Sequence, residues 1–142
     1  SECLVGSEMC IRDRFELQMG QFGRFPGFDT MAKDLLDEAY DVCGRADIHL
    51  VESLADMLAS LEHNCQVDMP LHYPSMYQDM SKDRPTEVDY INGYIAKLGK
   101  KYDYVAHTQQ FVTQAVHLAE FHRQELKAER EKNQEEKSVV NG

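Results

Sequence analysis

Apolar residues recur at Val88, Ile91, Ile95, Leu98 and Tyr102, at steps of three, four, three and four. Only a helix gathers such positions into one stripe, so this stretch must bury one helical face. The same rhythm runs through Ala32, Leu35, Leu36, Ala39, Val42 and Cys43, and through Val51, Leu54, Ala55, Leu58 and Leu61. It returns in Phe111, Val112, Ala115, Val116, Leu118 and Ala119. No run alternates apolar and polar residues for long enough to make a strand. The expected fold is therefore all-α, a bundle of about five helices joined by short connections.

Local signals place the boundaries. Residues 18–28 carry Gly20, Gly23, Pro26 and Gly27 and read as loop. Asp29 or Thr30 can cap the helix that follows, and Gly44 is a candidate for its C-terminal cap. Residues 64–74 read as a connector with Pro70 and Pro74. A short helix is expected over 75–82, a longer one over 86–102, and a last one from near His107. Beyond Phe121 the apolar pattern gives way to Glu, Lys, Arg and Gln, so residues 123–142 are expected to run into solvent as a charged, frayed tail. Residues 1–14 show neither period. They resemble translated sequencing-adapter sequence and are expected not to be native to the domain; the alternative is a disordered N-terminal arm. The folded unit is thus expected over 15–122.

Charge and composition exclude several classes. The chain has 15 basic and 25 acidic residues, a net charge of −10, and the last twenty residues hold five of each sign. The whole acidic excess sits in residues 1–122, which disfavours a nucleic-acid partner. No apolar run approaches the roughly 20 residues needed to cross a bilayer, so no membrane partner is expected. The cysteines, Cys3, Cys10, Cys43 and Cys65, form no C-x-x-C pair and read as thiols of a reducing, cytoplasmic compartment. His117 and His122 are five residues apart, on different helix faces, and no metal-ligand spacing is present, so no metal site is expected.

The densest chemistry lies in Pro74-Ser75-Met76-Tyr77-Gln78-Asp79-Met80 and Arg84-Pro85-Thr86-Glu87-Val88-Asp89-Tyr90-Ile91-Asn92-Gly93-Tyr94. Physically, Ser75 with Gln78 fits a capping box, and Thr86 with Asp89 fits a second. Read without context, helix capping accounts for these residues better than catalysis does. Glu87 would open a helix, where its carboxylate suits the dipole, with Tyr90 and Tyr94 flanking the stripe. Asn92-Gly93 sits inside a helical period, so Gly93 reads as a packing contact, and Asn92 is either a ligand contact or part of the scaffold.

The composite S-M-x-Q-D and R-x-T-E-x-D-Y-x-N-G resembles the C-terminal domain of ketopantoate reductases (2-dehydropantoate 2-reductases), over roughly residues 15–121. The resemblance implies a helical domain like the C-terminal domain of 6-phosphogluconate dehydrogenases, packed against an N-terminal Rossmann domain. It implies reduction of ketopantoate to pantoate, in pantothenate biosynthesis, with hydride from NADPH held mainly by that Rossmann domain. Ser75 would contact substrate. Glu87 would be the catalytic residue and line the cofactor, and Asn92 is a further substrate-binding candidate. The general-acid lysine of the family has no counterpart, because no lysine precedes Lys33. No G-x-G-x-x-G follows a strand. The chain alone is therefore expected to be inactive. Its expected partners are the 2-keto acid, its own Rossmann domain and a second copy in a homodimer. Two alternatives stand beside this reading: a helical interaction or dimerisation module without chemistry, and an enzyme of the same kind for another 2-keto acid. The pair Ser75 and Glu87, twelve residues apart, argues against the first; nothing in the chain separates the second.

Overall fold

The computed structural model describes residues 18–68, 71 and 85–142. Among these there are five α-helices and no strand: α1 (Met19–Arg24), α2 (Phe28–Arg45), α3 (Leu54–His63), α4 (Asn92–Lys101) and α5 (His107–Val140). A π-helical turn (Asn64–Asp68) extends α3, and a 3-10 turn (Val88–Tyr90) precedes α4. The all-α architecture expected from the periodicity is present. The short helix expected over 75–82, and the cap pair Ser75 and Gln78, lie outside the described residues.

Helix α2 is the spine. Its stripe Ala32, Leu35, Leu36, Ala39 and Val42 is buried along its length. Each part of the stripe enters a different layer of the core. Phe28 and Ala32 pack with Met19, Phe22, Leu61 and Cys65. Leu35 packs with Val88, Val112 and Val116. Leu36, Ala39 and Val42 pack with Met57, Ile95 and Ala106. One helix thus joins the N-terminal layer to the two layers that carry α4 and α5.

The structure corrects several boundaries. Residues 19–24, expected as loop, form α1, because Gly20 and Gly23 are buried packing positions rather than turn residues. A Cβ on Gly23 would stand 2.9 Å from the Cβ of Cys65, so the glycine lets α1 lie against the π turn. Gly27, not Asp29 or Thr30, precedes the first residue of α2, and Asp29 sits in its first turn. Helix α3 begins only at Leu54. Ser53 caps it, its Oγ accepting from the Asp56 N–H at 3.1 Å, and Val51 is exposed.

Helix ends are where the reading by residue type fails most clearly. Gly44 lies inside α2, and the left-handed residue is Asp47, with φ 56°. The Ile48 N–H reaches the Cys43 carbonyl at 2.8 Å and the Asp47 N–H the Gly44 carbonyl at 3.3 Å, the paired bonds of a Schellman cap. Helix α4 ends the same way. Asp103 has φ 56°, the Tyr104 N–H donates to the Gly99 carbonyl at 2.9 Å, and the Asp103 N–H to that of Lys100 at 3.2 Å. Tyr104 folds back over Gly99, where a Cβ would meet the Tyr104 carbonyl oxygen at 2.9 Å. Partial burial, then the carboxylates of Asp41 and Glu38, push the Tyr104 phenol above its ordinary value.

The helix expected over 86–102 is broken. Ile91 has φ −109° and ψ −89°, which separates the 3-10 turn from α4. The stripe still serves burial, with Val88 and Ile95 in different layers. Where fraying was expected, α5 continues to Val140, and residues 124–142 are exposed throughout. Its tail holds strong helix formers, no Gly or Pro before Gly142, and opposite charges four apart at Lys127–Glu131 and Lys132–Glu136.

Candidate functional site

The turn that carries Glu87 is held by three different side chains or groups of them. Val88 anchors it from below, fully buried against Leu35, Val112 and Val116. Glu120 of α5 holds it on one side: the Thr86 N–H donates to Glu120 Oε2 and the Thr86 hydroxyl to Oε1, both at 3.2 Å. His117, one turn earlier on α5, holds the other side, its Nε2 lying 2.9 Å from Asp89 Oδ1. Glu87 sits between these two fastened residues, at the start of the 3-10 turn, and is exposed.

The capping box expected from Thr86 and Asp89 is therefore not the arrangement found. The Thr86 hydroxyl is turned to Glu120 and stands 3.5 Å from the Val88 N–H, at the limit of a hydrogen bond. Asp89 faces His117 instead of closing the box. Both side chains are drawn toward α5, which stronger, charge-assisted partners explain.

Asn92 is placed differently from Glu87. It is fully buried at the start of α4, and its Nδ2 donates to Gln109 Oε1 at 2.7 Å. Gln109 Nε2 donates in turn to the Leu35 carbonyl at 2.9 Å. Glu38 of α2 completes the network by accepting from the Thr108 and Gln109 N–H groups at 3.1 and 2.7 Å. That carboxylate satisfies the first turn of α5, which Ala106 at the cap position cannot do. Asn92 thus ties α4 to α5 and α2 from inside, while Glu87 faces out. Gly93 is a close contact, its Cβ position 3.4 Å from the Val88 carbonyl oxygen and 3.5 Å from the Thr113 methyl.

A groove of about 260 Å³ lies between α4 and α5. The Asp89–His117 pair, Lys97, Lys100 and Gln114 line it, with Gly93 among its walls. Ser75, Asp79 and Arg84 lie outside the described residues. Among the described residues, no group of three His, Cys, Asp or Glu side chains could hold a metal ion. None of the helices there is long and apolar enough to cross a membrane. Glu120, His117, Glu38 and Gln109 were not singled out by sequence reasoning as site supports. Their partners on other elements lie 28 to 74 positions away, or 17 for Asn92, and no local pattern marks such pairs.

A model of the ketopantoate reductase PanE/ApbA C-terminal family matches residues 14–120. A 2-dehydropantoate 2-reductase of Lactococcus lactis subsp. lactis (strain IL1403) is 55% identical over 51 residues, 35% of this chain and 16% of that protein. One of Aquifex aeolicus (strain VF5) is 30% identical over 107 residues, 75% of this chain and 34% of that protein. A solved ternary structure of D-mandelate dehydrogenase with NADH and anilino(oxo)acetate has a TM-score of 0.80 at 31% identity, covering 87% of this chain and 40% of that one. The chain is similar to each of these over a minor part of their length.

Proposed function

The chain belongs to the ketopantoate reductase family as its C-terminal domain, and we propose that it supplies the substrate side of an NADPH-dependent 2-dehydropantoate 2-reductase. The observation that carries this reading is the composite motif from Pro74 to Gly93, inside the matched residues, with its glutamate displayed at an exposed and firmly held turn. In this reading the rest of the protein contributes the dinucleotide fold and the general acid. This chain spans only 16% of one relative's length and 34% of another's, and it has no lysine before Lys33.

The residues present fit the edge of a nicotinamide site, not its phosphate cradle. Exposed Glu87 can accept a hydrogen bond from a carboxamide or a ribose hydroxyl, whereas no strand with a glycine-rich turn occurs among the described residues. Reduced nicotinamide, when bound, supplies hydride to the keto carbon of the substrate. Ser75 hydrogen-bonds and orients the 2-keto acid. Glu87 organises the cofactor side beside the reacting carbonyl. Proton delivery to the new alkoxide falls to a lysine outside this chain. Asn92, first considered a substrate contact, holds the helix beneath the turn in this reading. The protein would work in the cytoplasm on a small soluble acid, and a second copy is a candidate partner.

A second reading keeps the chemistry and changes the substrate. The likeness to a D-mandelate dehydrogenase solved with NADH favours it: an enzyme for another 2-keto acid, with NADH as donor. Steady-state kinetics of the full-length protein separates the two, using ketopantoate and an aryl 2-keto acid with each nucleotide. Ketopantoate with NADPH is the expected best pair. Glu87→Gln should lower kcat/KM at least about tenfold, roughly 1.4 kcal/mol of transition-state stabilisation. The unfolding temperature should barely move, since Glu87 is exposed. Full activity in Glu87→Gln would remove Glu87 from the site.

A further inference from the structure

We propose that Glu120 is a positioning residue of the reaction: from α5 it fixes the turn that presents Glu87. This inference rests on the proposed role of Glu87. A 3-10 turn of three residues cannot hold a side chain in place by itself. Its own bonds are the Tyr90 N–H to the Glu87 carbonyl at 2.9 Å and the Ile91 N–H to that of Val88 at 3.3 Å. Glu120 adds two more, reaching back 34 positions to take both the N–H and the hydroxyl of Thr86. A carboxylate with both oxygens on one residue fixes direction as well as distance.

The geometry around Glu87 is that of a two-point hold. Residues 117 and 120 are one turn apart on α5 and so share a face. They engage residues 89 and 86, on either side of Glu87. Between the two holds, Val88 is buried and Glu87 is exposed. The carboxylate that faces the reaction is thus the side chain displayed outward from a turn pinned at both ends. A shift of about 1 Å in such a group can cost on the order of 100-fold in rate.

Three kinetic variants and one exchange measurement test this. In the full-length protein, assayed well below its unfolding midpoint, Glu120→Ala should lower kcat at least about tenfold, and KM for the 2-keto acid should stay within about twofold. Glu120→Gln should retain at least about half of the wild-type kcat. Its amide oxygen can still accept the Thr86 N–H, and its Nε2 can donate to the Thr86 hydroxyl oxygen. On the 142-residue chain, hydrogen exchange at the Thr86 amide should speed up at least about tenfold in Glu120→Ala and be restored in Glu120→Gln. Should Glu120→Ala fail to fold, Thr86→Val, which removes only the hydroxyl arm, replaces it, and a several-fold loss of kcat is expected. Wild-type kcat in the alanine or valine variant, unchanged exchange at Thr86, or failure of glutamine to rescue would each overturn the proposal. If Glu87→Gln is itself fully active, the reading of Glu87 falls and the positioning role falls with it. The Thr86 exchange rate still reports, separately, whether the hold exists.

Discussion

Gln109 is the residue on which the interior depends most. It is fully buried, and each end of its side-chain amide is used, accepting from Asn92 and donating to the Leu35 carbonyl. Its backbone N–H takes the Glu38 carboxylate, and its carbonyl accepts from the Thr113 hydroxyl at 2.8 Å. Gln109→Leu keeps the volume close but removes two buried hydrogen bonds, the one from Asn92 Nδ2 and the one to the Leu35 carbonyl. A hydrogen bond contributes about 0.5–1.5 kcal/mol net, so losing two should cost roughly 1–3 kcal/mol. Urea unfolding would measure it. A midpoint equal to wild type would mean that other groups replace both bonds. The same network explains why Asn92 could not be assigned from sequence. Its neighbours in the chain suggest a turn or a ligand contact, whereas its partner stands 17 positions away on another helix.

Elements were legible to the extent that they are amphipathic. The stripes of α2, α4 and α5 point to their helices because burying one face every three or four residues is what holds such helices to a core. Their ends were not legible, because an end depends on one backbone conformation. Asp47 and Asp103 take the left-handed conformation that glycine takes at lower cost, while Gly44, the glycine a reader would choose, lies in the last turn of α2 without a positive φ. Nor was α1, whose Gly23 is there for contact with Cys65. Asp103 offers a direct measurement. A left-handed residue with a Cβ costs about 1–2 kcal/mol relative to the right-handed form, and glycine escapes most of that. Asp103→Gly should therefore stabilise the domain by about 0.5–1 kcal/mol, less than the full conformational term because glycine loses more entropy on folding. Differential thermal unfolding of the two proteins decides it. A destabilised variant would show that the Asp103 side chain itself is holding the α4–α5 corner.

At the scale of the molecule, the core and the outer half of the long helix are nearly separate objects. All three core layers draw on residues from Met19 to Ala119. Helix α5 has 34 residues, nearly twice the 18 of α2, and at about 1.5 Å per residue it extends well past its buried positions. Its inner half carries Gln109, Val112, Thr113, Val116 and Ala119 into the core and presents His117 and Glu120 to the Glu87 turn. Beyond Arg123 every residue is exposed. The tail's most shielded large apolar side chain is Leu126, and 41% of its surface remains open. Complete burial of a leucine is worth about 1.5–3 kcal/mol, so a side chain this open contributes less, and the charged pairs around it little more. Removal of residues 124–142 should therefore cost under about 2 kcal/mol, within the range of an ordinary single substitution. Far-ultraviolet circular dichroism should fall by the share of helix removed, while the urea midpoint stays close to that of the full chain. A midpoint that drops by more than this would show that the tail is packed against something, and the exposed helix described here would not be its resting place.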